Sequence, residues 1–172
     1  ILGLASTGLH TNGYSLARKL FFDVARYRTE TYVDELQMTV AEALLQPHLS
    51  YLQPLKDLID TQVIKGLVHI TGGGLLENIP RILPSGTAVR IEQGSWPILP
   101  VFNLMQEIGN VADHEMYRSF NMGLGMVIIC GADEVGKLQS HLLAHNTNCY
   151  AIGEVVPGEG NVTINGMNTN KL

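Results

Sequence analysis

Three consecutive glycines, Gly72, Gly73 and Gly74, interrupt the segment HITGGGLLENIPRILP at residues 69–84. Glycine loses more backbone freedom on folding than any other residue, so three in a row weaken any helix or strand that contains them. They therefore divide the segment. The β-branched GLVHIT before them reads as a strand, and LLENIPRIL after them as a short helix, bent or stopped around Pro80. A strand, a glycine loop and a helix in this order expose backbone N–H groups at a helix start, which favours an anion such as phosphate. The loop lacks the Lys-Ser/Thr ending of a P-loop and the spacing of a dinucleotide fingerprint. The competing reading is a tight turn that needs positive φ, for which one glycine usually suffices.

The same alternation runs through the chain. ILGLAS is a β-type run and TGLHTNG after it is turn-like. YSLARKLFFDVA predicts a helix over 14–25, with Leu16, Leu20, Phe21 and Val24 at helical spacing and Asn12 as N-cap. MTVAEALLQP predicts a second helix, stopped by Pro47, and YLQPLKDLIDTQV a third with Pro54 near its first turn. TAVRIE alternates as a strand should, PVFNLMQEIG is helical with Gly109 at its C-cap, and DHEMYRSF is another short helix. GMVIICG is a buried strand and DEVGKLQSHLLAHN an amphipathic helix. CYAIGEVV and NVTING are two strands around a Pro-Gly turn, so part of the sheet is expected to be antiparallel. This pattern predicts an α+β fold, an α/β sandwich with a mixed sheet flanked by helices. One domain is expected over residues 1–166, with a frayed tail over 167–172.

Composition narrows the partners. A chain of 172 residues with 45% hydrophobic and 16% charged residues suits one packed domain. The net charge of −5 argues against a nucleic-acid partner. The longest apolar run, MVIIC, is too short to cross a bilayer. Cys130 and Cys149 make no disulfide framework and no signal peptide is evident, so the reading is cytoplasmic. The sequence opens without Met, inside a strand-like run, which leads us to expect a piece of a longer polypeptide.

Two further clusters carry polar residues beside strands. STGLHTNG at residues 6–13 places His10, Asn12 and Gly13 between a strand end and a helix start, where open α/β sheets hold ligands. Capping and turn chemistry is the competing explanation. DHEMYRSFNMGLGM at 113–126 places Asn121, Gly123 and Gly125 just before the buried strand, consistent with close approach of a ligand or of another backbone. His141 and His145 have zinc-like spacing, but Leu142 stands where the metalloprotease pattern needs Glu, and no metal ligands are assigned.

GLASTGLHTNGYSLARK, HITGGGLLENIPRILP and HEMYRSFNMGLGMV, in this order and spacing, closely resemble the C-terminal half of the phosphoribosylformylglycinamidine cyclo-ligase family. These are the aminoimidazole ribonucleotide (AIR) synthetases of purine biosynthesis, and the resemblance extends to about Gly166. It implies an AIR synthetase C-terminal domain-like fold and an ATP-dependent ring closure of formylglycinamidine ribonucleotide. ATP and Mg2+ are the implied cofactors, held mostly by an N-terminal domain that this chain lacks, and the full-length enzyme is implied to be a homodimer. This chain alone is expected to be inactive. By the resemblance, His10 and His69 are catalytic candidates. Asn12, Gly13, Gly72, Gly73, Gly74, Asn78, Asn121 and Gly123 are candidates for binding phosphate or substrate. The alternatives are an isolated non-catalytic phosphate-binding or assembly module, or another ATP-using member of the superfamily. That superfamily includes formylglycinamidine ribonucleotide synthetase, selenophosphate synthetase, thiamine-monophosphate kinase and a hydrogenase-maturation protein.

Overall fold

The apolar runs pair into three sheets and the amphipathic segments cover them. In a computed structural model, residues 1–167 are described. The strands are β1 (Leu2–Ala5), β2 (Tyr32–Val33), β3 (Met38–Thr39), β4 (Ile64–His69), β5 (Thr87–Glu92), β6 (Leu124–Cys130), β7 (Cys149–Ala151), β8 (Gly153–Pro157) and β9 (Val162–Asn165). The helices are α1 (Tyr14–Arg18), α2 (Val40–Leu44), α3 (Leu52–Ile59), α4 (Gly74–Asn78), α5 (Pro100–Gly109), α6 (Asp113–Ser119) and α7 (Val135–Ala144).

The main sheet is antiparallel, in the order β4-β6-β1-β7, and its side-chain alternation defines two layers. Leu2, Leu4 and Ile128 face α3 and α7, where they meet Leu55, Leu138 and Leu142. Leu124 and Val127 face the larger core, which holds Phe21, Phe102 and Phe120 together with Val89 and Ile91 of β5. The parallel pairing of the mixed α/β sandwich lies in the second sheet, ordered β8-β5-β9.

Several local expectations are corrected. The helix over 14–25 is α-helical only to Arg18 and continues as a π-helix through Val24. The wider π turn brings Leu20 and Phe21 inward and leaves Val24 half exposed, which breaks the expected helical spacing. Asn12 is not its N-cap. Gly13 is, at φ 82 and with no side-chain bond, while the Asn12 amide donates to the Ser119 carbonyl at 3.0 Å. At the end of α5 the left-handed C-cap is Asn110 (φ 45) rather than Gly109. Gly109 lacks a side chain because Leu20 occupies that space. CYAIGEVV splits at Ile152 between two sheets, and β8 and β9 do not pair with each other but straddle β5. The β2–β3 hairpin was not legible as strands. Met167, assigned to the tail, packs on the core, whereas 168–172 lie outside the described residues.

Candidate functional site

The glycine loop is held from within. Asn78, at the end of α4, donates to the carbonyls of Thr71, Gly72 and Gly74 at 3.2, 3.1 and 2.8 Å, and accepts from the Thr71 hydroxyl at 3.0 Å. Two of the three glycines answer structural demands and the third does not. Gly74 (φ +56) packs directly on the backbone of α6, where a Cβ would overlap the Tyr117 carbonyl oxygen. Gly73 (φ +97) sits in the left-handed region with Glu77 2.6 Å from any added Cβ. Gly72 has open space where a side chain would be. The amides of Gly72 and Gly73 have no hydrogen-bond partner among the described residues. A cleft of about 480 Å³ opens there, bounded by Gly72, Gly73, Glu77, Arg118 and the start of α1 at Gly13 and Ser15. Arg118 brings a positive charge to it, shared with Glu115 through a 3.0 Å ion pair.

Around the corner, His69 ends β4 and begins a run of three imidazoles in which His48 stands between it and His10. His48 Nε2 lies 3.3 Å from His69 Nε2, and the His48 ring stacks on His10 with centroids 4.0 Å apart. Thr7 contacts His10 Nε2 through its amide and its hydroxyl, both at 3.3 Å, while His10 Nδ1 is buried without a partner. Tyr51 closes the group, its hydroxyl donating to the Ala5 carbonyl at 2.7 Å. Gly125 makes this assembly possible, since a Cβ there would collide with the Tyr51 hydroxyl and lie 2.7 Å from His10 Cε1. Burial first, then the neighbouring His48 and His69, pushes the His10 pKa down to about 4. Burial and His48 also lower that of His69. Both are therefore biased toward the neutral, proton-accepting form near pH 7. The cluster borders an apolar groove of about 510 Å³ running along Leu52, Leu55, Ile59, Leu67 and Met126.

The structure thus divides the sequence candidates. Gly13, Gly72 and Gly73 share the cleft, whereas His69 faces the groove and His10 lies buried behind it. Asn78 and Asn121 act inward. Asn121 is fully buried and donates to Gly8 and Leu9 carbonyls at 2.8 and 3.1 Å while accepting from the Gly123 amide at 2.9 Å. Gly123 (φ +92) turns the chain against the Pro97 carbonyl, and Asn12 ties α1 to the end of α6. Sequence reasoning missed His48, Tyr51 and Arg118. The first two follow the helix-stopping Pro47 in an irregular stretch, where no periodicity announces which way a side chain faces. Among the described residues no three or more His, Cys, Asp or Glu side chains converge to hold a metal ion, and no helix is long and apolar enough to cross a membrane.

Comparison with known proteins decides the lineage. The family described as AIR synthase related protein, C-terminal domain, matches residues 1–165. The chain belongs to this family. It is 45% identical over 164 residues to the phosphoribosylformylglycinamidine cyclo-ligase of Thermoanaerobacter sp. (strain X514), covering 95% of this chain and 48% of that protein. It is 43% identical over 160 residues to the protein of that name from Geobacillus thermodenitrificans, covering 93% and 46%. The chain therefore spans about half the length of the curated relatives it matches. Among solved structures, thiamine-monophosphate kinase from Stenotrophomonas maltophilia K279a aligns over 96% of this chain and 50% of its own, with TM-score 0.63 and 16% identity. E. coli HypE, a hydrogenase maturation protein, aligns with TM-score 0.56 and 20% identity over 96% of this chain and 46% of its own. At these identities the likeness is one of fold, shared by the AIR synthase C-terminal domain family and these two structures.

Proposed function

We propose that this chain is the C-terminal half of an ATP-dependent cyclo-ligase that closes the imidazole ring of aminoimidazole ribonucleotide in the cytoplasm. Family membership across nearly the whole chain carries this reading. In such a reaction ATP phosphorylates the formyl oxygen of formylglycinamidine ribonucleotide. The amidine nitrogen then attacks the activated carbon and phosphate leaves. Orientation and charge stabilisation do most of this work, so the protein needs anion donors and a proton acceptor more than a nucleophile. The unpaired Gly72 and Gly73 amides with Arg118 supply the first requirement for a phosphate group. The neutral His69 beside the groove supplies the second. His10, buried and held neutral, supports rather than donates. An N-terminal domain would bring most of the ATP site and the homodimer contacts. The 172-residue chain alone should accordingly show no turnover.

The test uses Gly72→Ala in the full-length protein. Its methyl enters open space, so stability should stay within about 0.5 kcal/mol of the parent. The amide itself is retained, but the methyl would stand in the cleft where a phosphate oxygen must approach it. Blocking one charge-assisted hydrogen bond in this way, worth roughly 1.5–3 kcal/mol, should make a phosphate-bearing ligand bind at least tenfold more weakly. Titrations with formylglycinamidine ribonucleotide and with ATP show which phosphate the loop holds. Unchanged affinity for both would remove the loop from the site.

A further inference from the structure

The three imidazoles form a chain in which one fixed proton dictates the next. His48 Nδ1 lies 2.7 Å from the Leu49 carbonyl oxygen. A carbonyl only accepts, so Nδ1 carries the proton and neutral His48 presents a lone pair at Nε2. That lone pair is 3.3 Å from His69 Nε2, which must then be the donor. His69 is left with Nδ1 as its one proton-accepting atom, and Nδ1 has no hydrogen-bond partner among the described residues. The stacked ring of His10, itself held by Thr7, fixes the plane of His48. Tyr51 meets His48 edge-on at 6.5 Å. β6 adds only Gly125 and Met126 on this side, neither of which titrates.

We propose that His48 is a positioning residue that fixes His69 as the Nε2–H tautomer and so makes His69 Nδ1 the general base of the ring closure. This role rests on the cyclo-ligase reading. As the amidine nitrogen bonds to the formyl carbon it loses a proton, which Nδ1 accepts. The C–O bond breaks in the same passage and its electron pair leaves with inorganic phosphate. Nothing in the sequence pattern marks His48 for this task. Only the geometry links it through His69 to the chemistry.

Two measurements test the proposal separately from the cyclo-ligase reading. Two-bond 1H–15N correlation spectra of the 172-residue chain near neutral pH report each tautomer directly. His48 should carry its proton on Nδ1, the form that free imidazole disfavours in water, and His69 on Nε2. His48 protonated on Nε2, or His69 on Nδ1, would overturn the proposal whatever the protein catalyses. In the full-length protein, His48→Ala should lower kcat roughly tenfold with KM little changed, because a base that loses its orientation loses part of a contribution of about 100-fold or more. His48→Gln, whose side-chain oxygen still accepts from Nε2–H, should restore most of kcat. Equal loss in both variants would reduce His48 to a structural residue. A wild-type full-length protein without cyclo-ligase turnover, but with the expected tautomers, would refute the reaction and leave the relay standing.

Discussion

At the scale of single residues, burial decides chemistry more than identity does. His10 occupies a left-handed backbone position (φ 59) and is 5% exposed, with its pKa pushed from 6.5 to about 4. Between those values the unfolded chain binds a proton that the native state excludes. The stability tied to His10 is therefore fully present above pH 6.5 and declines as pH falls toward 4. His69, shifted the same way, adds to the slope. Asn tolerates a left-handed backbone, so His10→Asn removes the titration without imposing strain. Urea unfolding near pH 7 and near pH 4.5 should show the parent losing on the order of 2 kcal/mol more than the variant over this interval. Parallel losses would mean that the imidazole is not held neutral. The glycines teach the same lesson. Gly74 is demanded by the α6 backbone and Gly73 by its own φ, so only Gly72 reports on a ligand when changed.

Among the elements, α2 owes its start to a reciprocal cap. The Thr39 hydroxyl accepts from the Glu42 amide at 3.3 Å while the Glu42 carboxylate accepts from the Thr39 amide at 2.8 Å. With five residues, this helix has little propensity of its own to draw on. Thr39→Ala should cost about 1 kcal/mol, read as a lower urea midpoint with unchanged slope. A variant as stable as the parent would show that tertiary packing alone holds α2. Capping signals of this kind are local, and so are the strand and helix periods behind β4, β5, β6, α5 and α7, which is why those elements could be read from sequence. The misplaced features depend on distant contacts. The π turn after α1 follows the inward demand of Leu20 and Phe21, and Gly109 is shaped by Leu20 rather than by the helix end it adjoins. The split at Ile152 requires knowing that two sheets exist. In the site, the glycines stood out by pattern, and His10 and His69 entered as catalytic candidates through the family resemblance. His48 did not, because its partners are Leu49, His10 and His69, and only folding brings the last two to it.

For the molecule as a whole, the groove beside the histidines joins exposed apolar side chains into one surface. Leu52 is 63% exposed and Ile59 51%, both on α3 and both bordering it. Exposed apolar surface of this kind drives association. The 172-residue chain should self-associate as concentration rises, and Leu52→Glu should shift it toward monomer in sedimentation velocity. Identical sedimentation of parent and variant would acquit the groove. The sheets impose a different kind of constraint. The inner strand of the smaller one, β5, is flanked by β8 and β9, and β1 of the larger one by β6 and β7, so that Leu2 pairs with both Ile128 and Ala151. Each of these strands leaves the ribosome long before its neighbours exist. Until β8 emerges, Val89 and Ile91 belong to a strand whose hydrogen-bonding edges are both bare, and one edge stays bare until β9 follows. A ribosome stalled just before β9 would hold β5 with one edge paired to β8 and the other bare, an edge of the kind that templates aggregation.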